Sequence, residues 1–357
     1  MRALKLIDDS RVENVDSLVE LLSYYLSDVW EGAWLPDTLI KDMGYGHIFK
    51  MDSDDRFVNN ISSKDYRKIP YDKLKSETKG KRLCLEDYLK DSGELDKPYW
   101  VTGESGHLPD RVIAINHSII DMLKMGDFPI AFYLQKKKPK EYMKELTKQK
   151  IKDLSLSPNF SARQIALTFF IASHYICDAH MPLHCDLRDM NANVGQAGKE
   201  RRLPKPLHPG IEAVWEESFP SKEVLTIHDY TPESIEEIVT KMPKGSLIEV
   251  DTSCSYRLDP ELYVDMPNEW DEMVNICRIS YGVSRKWITQ SFTDIENLVG
   301  KDKCTEKGLD LAYEEIQKII GENEFKDVTN RVFHDAVESV SRLWYRAWEI
   351  FTRKTSG

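Results

Sequence analysis

Residues 161 to 178, SARQIALTFFIASHYICD, constrain the fold more than any other stretch of the chain. Ser161 and Gln164 have the spacing of a capping box, so a helix is expected to begin there. Ile165, Leu167, Phe169, Phe170, Ala172 and Ile176 then place apolar side chains on nearly every side of it. A helix that is apolar all round has no face to give to water, so other elements must enclose it. Pro182 cannot donate a backbone hydrogen bond, and the helix is expected to end or kink near it.

The enclosing elements are expected to be helices. Val15, Leu18, Leu22, Leu26 and Trp30 recur at helical spacing, and Gly32 and Pro36 of GAWLPD are expected to end that helix. From 109 to about 124, PDRVIAINHSIIDMLK reads as a helix with Pro109 in its first turn. MGDFPIAFYLQ then breaks and resumes, and the basic run KKKPKEYMKELTKQK reads as a solvated helix face. Further helices are expected over roughly 232–241, 268–299, 307–320 and 326–353. No segment shows sustained β alternation and no short-period repeat is present. The expected fold is all-α, one multi-helix domain over 1–357, with a polar, irregular inserted segment at about 50–105.

The central helix also carries chemistry. His174 and Asp178 are four residues apart, so they share a helix face about 6 Å apart along the axis. An imidazole nitrogen and a carboxylate oxygen can there reach one cation. After the turn at Pro182, His184 can point back into the same cleft, whereas His180 is rotated away from His174. In HPGIEAVWEE, His208 and Glu212 repeat the four-residue spacing, and Glu216 continues that face. Imidazole and carboxylate ligands together suit zinc, and metals bridged by a carboxylate suit phosphoester hydrolysis.

These residues resemble the superfamily of zinc-dependent phospholipase C and the single-strand-specific zinc nucleases. The family pattern H-x3-D followed by P-[LM]-H matches His174, Asp178, Pro182, Leu183 and His184, and the later H-x3-[DE] matches His208 and Glu212. A nuclease-style register would use Glu212 and Glu216 instead; the phospholipase-style pair needs no substitution. GAWLPDTLIKDMGYGH is similar to the family's G-A-x-x-P-D turn and the histidine after it, which implies Asp37 and His47 as further ligands. SIIDMLKMGDFPIAFYL is similar to the helix–turn–helix that precedes the motif. The resemblance implies two or three zinc ions. One pair would be held by Asp37, His47, His174 and Asp178, with Asp178 bridging, and another zinc by His184, His208 and Glu212. It also implies Asp37 as the group that orients or deprotonates a metal-bound water. The chain departs from the family at the N-terminal tryptophan and early histidine that complete the third metal position. His107 and Asp110 are candidates to replace those ligands, and His117, among apolar neighbours, reads as a core histidine.

Composition narrows the alternatives. A net charge of −11 argues against a dominant grip on duplex DNA. The first residues, MRALKLIDDSRVENVDS, lack the apolar core of a signal peptide, and no run reaches membrane-span length. Cys84, Cys177, Cys185, Cys254, Cys277 and Cys304 contain no CxxC pair, which suits reduced thiols in a cytoplasm. The expected substrate is a phosphoester, either a phospholipid or a single-stranded nucleic acid. The rival from another class is a non-catalytic binding or structural protein that keeps a structural metal. A di-iron bundle is disfavoured because its paired ExxH pattern is absent.

Overall fold

The computed structural model describes residues 15–41, 46–53, 66–69, 83–97, 99–125, 160–189, 202–217, 269–304 and 310–352. The residues from 126 to 159, with the resumed helix and the basic run, lie outside them, as does the helix expected at 232–241. Helices make up most of what is described. In chain order they are α1 (Val15–Tyr24), α2 (Val29–Leu35), α3 (Cys84–Leu89), α4 (Leu108–Met125), α5 (Ala162–His180), α6 (Leu207–Glu217), α7 (Glu269–Trp287), α8 (Phe292–Val299), α9 (Tyr313–Ile320) and α10 (Glu322–Thr352).

α5 is the enclosed helix. Ser161 Oγ accepts the Gln164 N–H at 3.2 Å and Gln164 Oε1 accepts the Ser161 N–H at 2.8 Å, so the capping box forms as expected. Its apolar side chains are buried against α2, α4, α7 and α10. Trp344 of α10 donates its indole N–H to the Phe169 carbonyl at 3.0 Å, and its ring meets Phe169 edge-on. The helix ends at His180, two residues before Pro182.

Three expectations fail. Gly32 does not end the first helix: after a short tight turn (Leu26–Asp28) the helical path runs on through α2, and regular α geometry stops at Leu35, just before Pro36. At Pro36, which has no N–H, it widens into a π turn, Pro36–Ile40, and stops at Lys41 with φ 47. Gly32 is there for packing. A Cβ added to it would sit 2.5 Å from the Phe170 Cβ and 3.1 Å from the Leu167 carbonyl, so α2 approaches α5 closely only because the side chain is missing.

Second, the 50–105 stretch is not merely loop. β1 (Phe49–Asp52), β2 (Tyr66–Ile69) and β3 (Tyr99–Gly106) form an antiparallel sheet in the order β1-β3-β2, and α3 lies between β2 and β3 in sequence. All four residues of β1 are buried, including Lys50 and Asp52, so no alternation marks it. The helix expected at 268–299 divides into α7 and α8, because Ser291 and Asp294 form their own capping box.

Gly32→Ala is expected to lower stability by about 1–3 kcal/mol through overpacking against Phe170. A urea-unfolding midpoint equal to that of the parent chain would show that α2 does not pack this tightly.

Candidate metal centre

Five segments supply the candidate ligands. The π turn after α2 presents Asp37, the residues just before β1 present His47, and the last turns of α5 present His174 and Asp178. A short tight helix (Pro182–Cys185) presents His184, and α6 presents His208 and Glu212. The structure brings all seven sequence-derived residues into two adjacent groups.

In the first group, donor atoms of Asp37, His47 and His174 lie within 4.8 Å of one another. His174 Nε2 is 3.1 Å from His47 Nδ1, and Asp37 Oδ1 is 3.6 Å and 3.8 Å from these two nitrogens. The second group is His184, His208 and Glu212, with Glu212 Oε1 3.4 Å from His184 Nε2 and 3.1 Å from His208 Nε2. Asp178 stands between them: its Oδ2 is 2.8 Å from His47 Nδ1 and 3.2 Å from His174 Nε2, and its Oδ1 is 3.4 Å from His184 Nδ1.

These separations fit a cation. Ligand bonds of about 2.0 Å in a tetrahedron put neighbouring donor atoms about 3.3 Å apart. Two imidazole nitrogens 3.1 Å apart, both directed at carboxylates, make a better cation cage than a hydrogen-bond network. His184 Nδ1 is buried and forms no hydrogen bond, despite the Asp178 oxygen nearby.

The electrostatics follow from burial and pairing. Burial alone would raise the Asp178 carboxyl, but His184, His174 and His47 hold it well below the usual carboxylate range. Burial likewise opposes ionisation of Glu212, and hydrogen bonds from His184 and His208 overcome it. His174 is pushed up in spite of its burial, first by Asp178 and then by Asp37. For His208, Asp189 and Glu212 outweigh burial and push the imidazole up to about 9.

Asp189 and Lys50 were not legible from the sequence. Asp189 Oδ2 is 2.8 Å from His208 Nδ1 and accepts a hydrogen bond from Lys50 Nζ at 2.8 Å. Lys50 also donates to the Leu183 carbonyl. A carboxylate on the far nitrogen of a ligating histidine fixes its tautomer and orientation. Asp189 lies 19 residues before His208, and no local spacing announces the pair.

The other sequence candidates fall outside the centre. Glu216 is exposed and joins neither group, so the pair on α6 is His208 with Glu212. His107 and Asp110 are exposed at the start of α4 and join neither group. His117 is not a core histidine; it lies on the solvent side of α4, next to the buried Asn116. His180 is buried and directed at Ser339 Oγ, 2.9 Å away, on the side opposite the ligands as expected. The N-terminal residues 1–14 lie outside the described residues.

The histidines of the centre are 11–18% exposed, whereas Asp37 is 57% and Glu212 42% exposed. The cleft therefore opens at its carboxylates. Trp34, Leu39 and Ile40, all large and exposed, flank Asp37. No helix among the described residues is long and apolar enough to cross a membrane. Comparison with models of protein families, with curated proteins and with solved structures found no match to this chain.

The metal-free protein carries a pH signature. An ordinary imidazole titrates near 6.5 and His208 near 9, so the folded chain holds this proton more tightly than the unfolded one. The His208 contribution to stability is complete below 6.5 and is lost as the pH rises through 9. Calorimetry of chelator-treated protein is expected to show a thermal midpoint that falls across this window, with a shallower fall in His208→Gln. A profile unchanged by that substitution would contradict the pairing with Asp189 and Glu212.

Proposed function

We propose that this chain is a zinc-dependent phosphodiester hydrolase, built like zinc-dependent phospholipase C and the single-strand-specific zinc nucleases. One observation carries the reading. The residues picked out by the sequence motif, although scattered from 37 to 212, converge on two donor groups joined by Asp178. Asp37, His47, His174 and Asp178 would hold one zinc or a bridged pair, and His184, His208 and Glu212 another.

When bound, zinc supplies a water that ionises near neutral pH and positive charge for the phosphoryl oxygens. The chain's own groups do the rest. Asp37, the exposed carboxylate at the mouth, orients the attacking water and accepts its proton. Asp178 keeps His47, His174 and His184 facing inward. Asp189, through His208 Nδ1, leaves Nε2 free to ligate. No serine or cysteine nucleophile is required.

The rim of the cleft favours a phosphodiester presented at a lipid surface. Leu39 and Ile40 offer apolar area but no flat ring, so they suit acyl chains or an interface better than unstacked bases. Trp34 suits either substrate.

Protein purified without added metal is expected to hold at least two zinc ions and to cleave phosphatidylcholine vesicles faster than single-stranded DNA. A chelator should abolish the activity and zinc restore it. One ion or fewer after reconstitution removes the multinuclear reading; bound zinc with no phosphodiesterase activity on lipid, DNA or RNA leaves a structural metal protein. Asp178→Asn is expected to lose an ion and about a hundredfold or more in turnover, since the charge between cations is gone. His180→Gln, outside the cleft, should keep its metal. Asp189→Asn is expected to weaken zinc at His208 by about 10–100-fold, read by competition with a chromophoric chelator.

A further inference from the structure

A third set of metal-ligating side chains lies outside this cleft, where α3 meets α10. Asp335, fully buried, accepts the Cys84 N–H on Oδ1 at 2.8 Å and the Leu85 N–H on Oδ2 at 2.9 Å. That docking holds the Cys84 side chain against α10, with Sγ 3.6 Å from the Arg331 carbonyl. His334 Nδ1 is 3.2 Å from Asp335 Oδ1. One donor atom from each of Cys84, His334 and Asp335 lies within 4.8 Å of the other two. Glu338 follows His334 by four residues, the spacing of His208 and Glu212, and is 13% exposed.

The cluster is rich in acid, and the arginines described beside it have carboxylate partners. Burial, and next Asp335, raises the Cys84 thiol far above its ordinary range. The same two causes push the Glu338 carboxyl up to about 7. Arg331 is paired with Asp327 at 2.9 Å. Arg342 is 3.7 Å from Glu338 but makes its close ion pair with Glu272.

We propose that Cys84, His334 and Asp335 bind a zinc ion of their own. The donor set is selective: thiolate with imidazole and carboxylate suits zinc and not magnesium or calcium. The 3.2 Å between nitrogen and oxygen matches the roughly 3.3 Å between donors 2.0 Å from a tetrahedral ion. Binding releases the Cys84 thiol proton to solvent and forms the sulfur–zinc bond in its place, so no oxidant or reductant is involved. With ligands drawn from both α3 and α10, the ion's role is to fasten the two helices together.

Cobalt(II) in place of zinc provides the test, because the candidate hydrolytic centre contains no cysteine. The metal-free full chain titrated with cobalt is expected to develop a thiolate-to-cobalt charge-transfer band in the near ultraviolet. Cys84→Ser and His334→Ala should each lose the band and one bound zinc per chain. Cys177→Ser and His208→Ala should keep the band, the first as a thiol control and the second because it alters only the other centre. No band in the parent chain, a band that survives both Cys84→Ser and His334→Ala, or one that follows Cys177 would overturn the proposal. His334 is 32% exposed, so its variant reports even where Cys84→Ser does not fold. The band is independent of any phosphodiesterase activity, which keeps this site and the hydrolytic reading separately testable.

Discussion

The centre depends on keeping the Asp178 carboxylate charged while it is almost out of water. A buried charge without partners costs several kcal/mol, and the group would take up a proton instead. Around Asp178 that cost is met by imidazoles from three segments, with His47 131 residues away in sequence. His174 comes from the helix that carries Asp178, His184 from the turn after it, and His47 from the approach to β1. The carboxylate can stay ionised only if β1, the turn and α5 all meet at that point. The packing of α5 provides this, because a helix held by α2, α4, α7 and α10 cannot rotate its last turns away from the site.

The segment after α5 is held with equal firmness. Asp186, buried, takes a two-pronged contact from Arg188 and a hydrogen bond from Ser284 Oγ at 2.6 Å. Arg188 also donates to the Ile288 carbonyl, just past the end of α7, and to the Ser284 carbonyl, which already accepts the Ile288 N–H. One guanidinium thus orients the turn that bears His184 and covers the end of α7. Lys50 does the corresponding work from β1: its buried ammonium joins the Leu183 carbonyl to Asp189 and so reaches His208. Through these contacts the second donor group is oriented from β1, and Met51 is bridged to Asp186 beside it.

What was legible in the sequence was local. The capping box of α5, its all-round apolar surface and the proline stop at 182 are decided within one or two helical turns, and each appears where the spacing placed it. The four-residue pairs His174–Asp178 and His208–Glu212 share a face for the same reason. What was missed is non-local or lacks a pattern. β1 pairs with a strand some 50 residues later, as Asp52 with Trp100, and its four buried residues do not alternate. Asp189 and Lys50 act across the fold. Gly32 read as a helix stop because its partner, Phe170, is distant in sequence; a glycine that ends a helix and one that lets two helices touch look alike until the neighbour is known.

Several ligands stand where regular geometry gives way. Asp37 is in the widened turn that Pro36 forces, His184 in the tight turn that Pro182 opens, and His47 just before the irregular register of β1 with β3. An ideal helix directs its side chains radially and in fixed rotation, so one helix alone cannot surround a cation. A closed cage needs donors from several directions, and short irregular turns can turn a carboxylate or imidazole back across the helix ends. Such turns hold a direction only when their surroundings are rigid. Here the two prolines set the turns locally, Gly32 lets α2 lie tightly on α5, and Arg188 and Lys50 fasten the turn after it. The irregularity aims the ligands, and the enclosed helix behind it keeps them aimed.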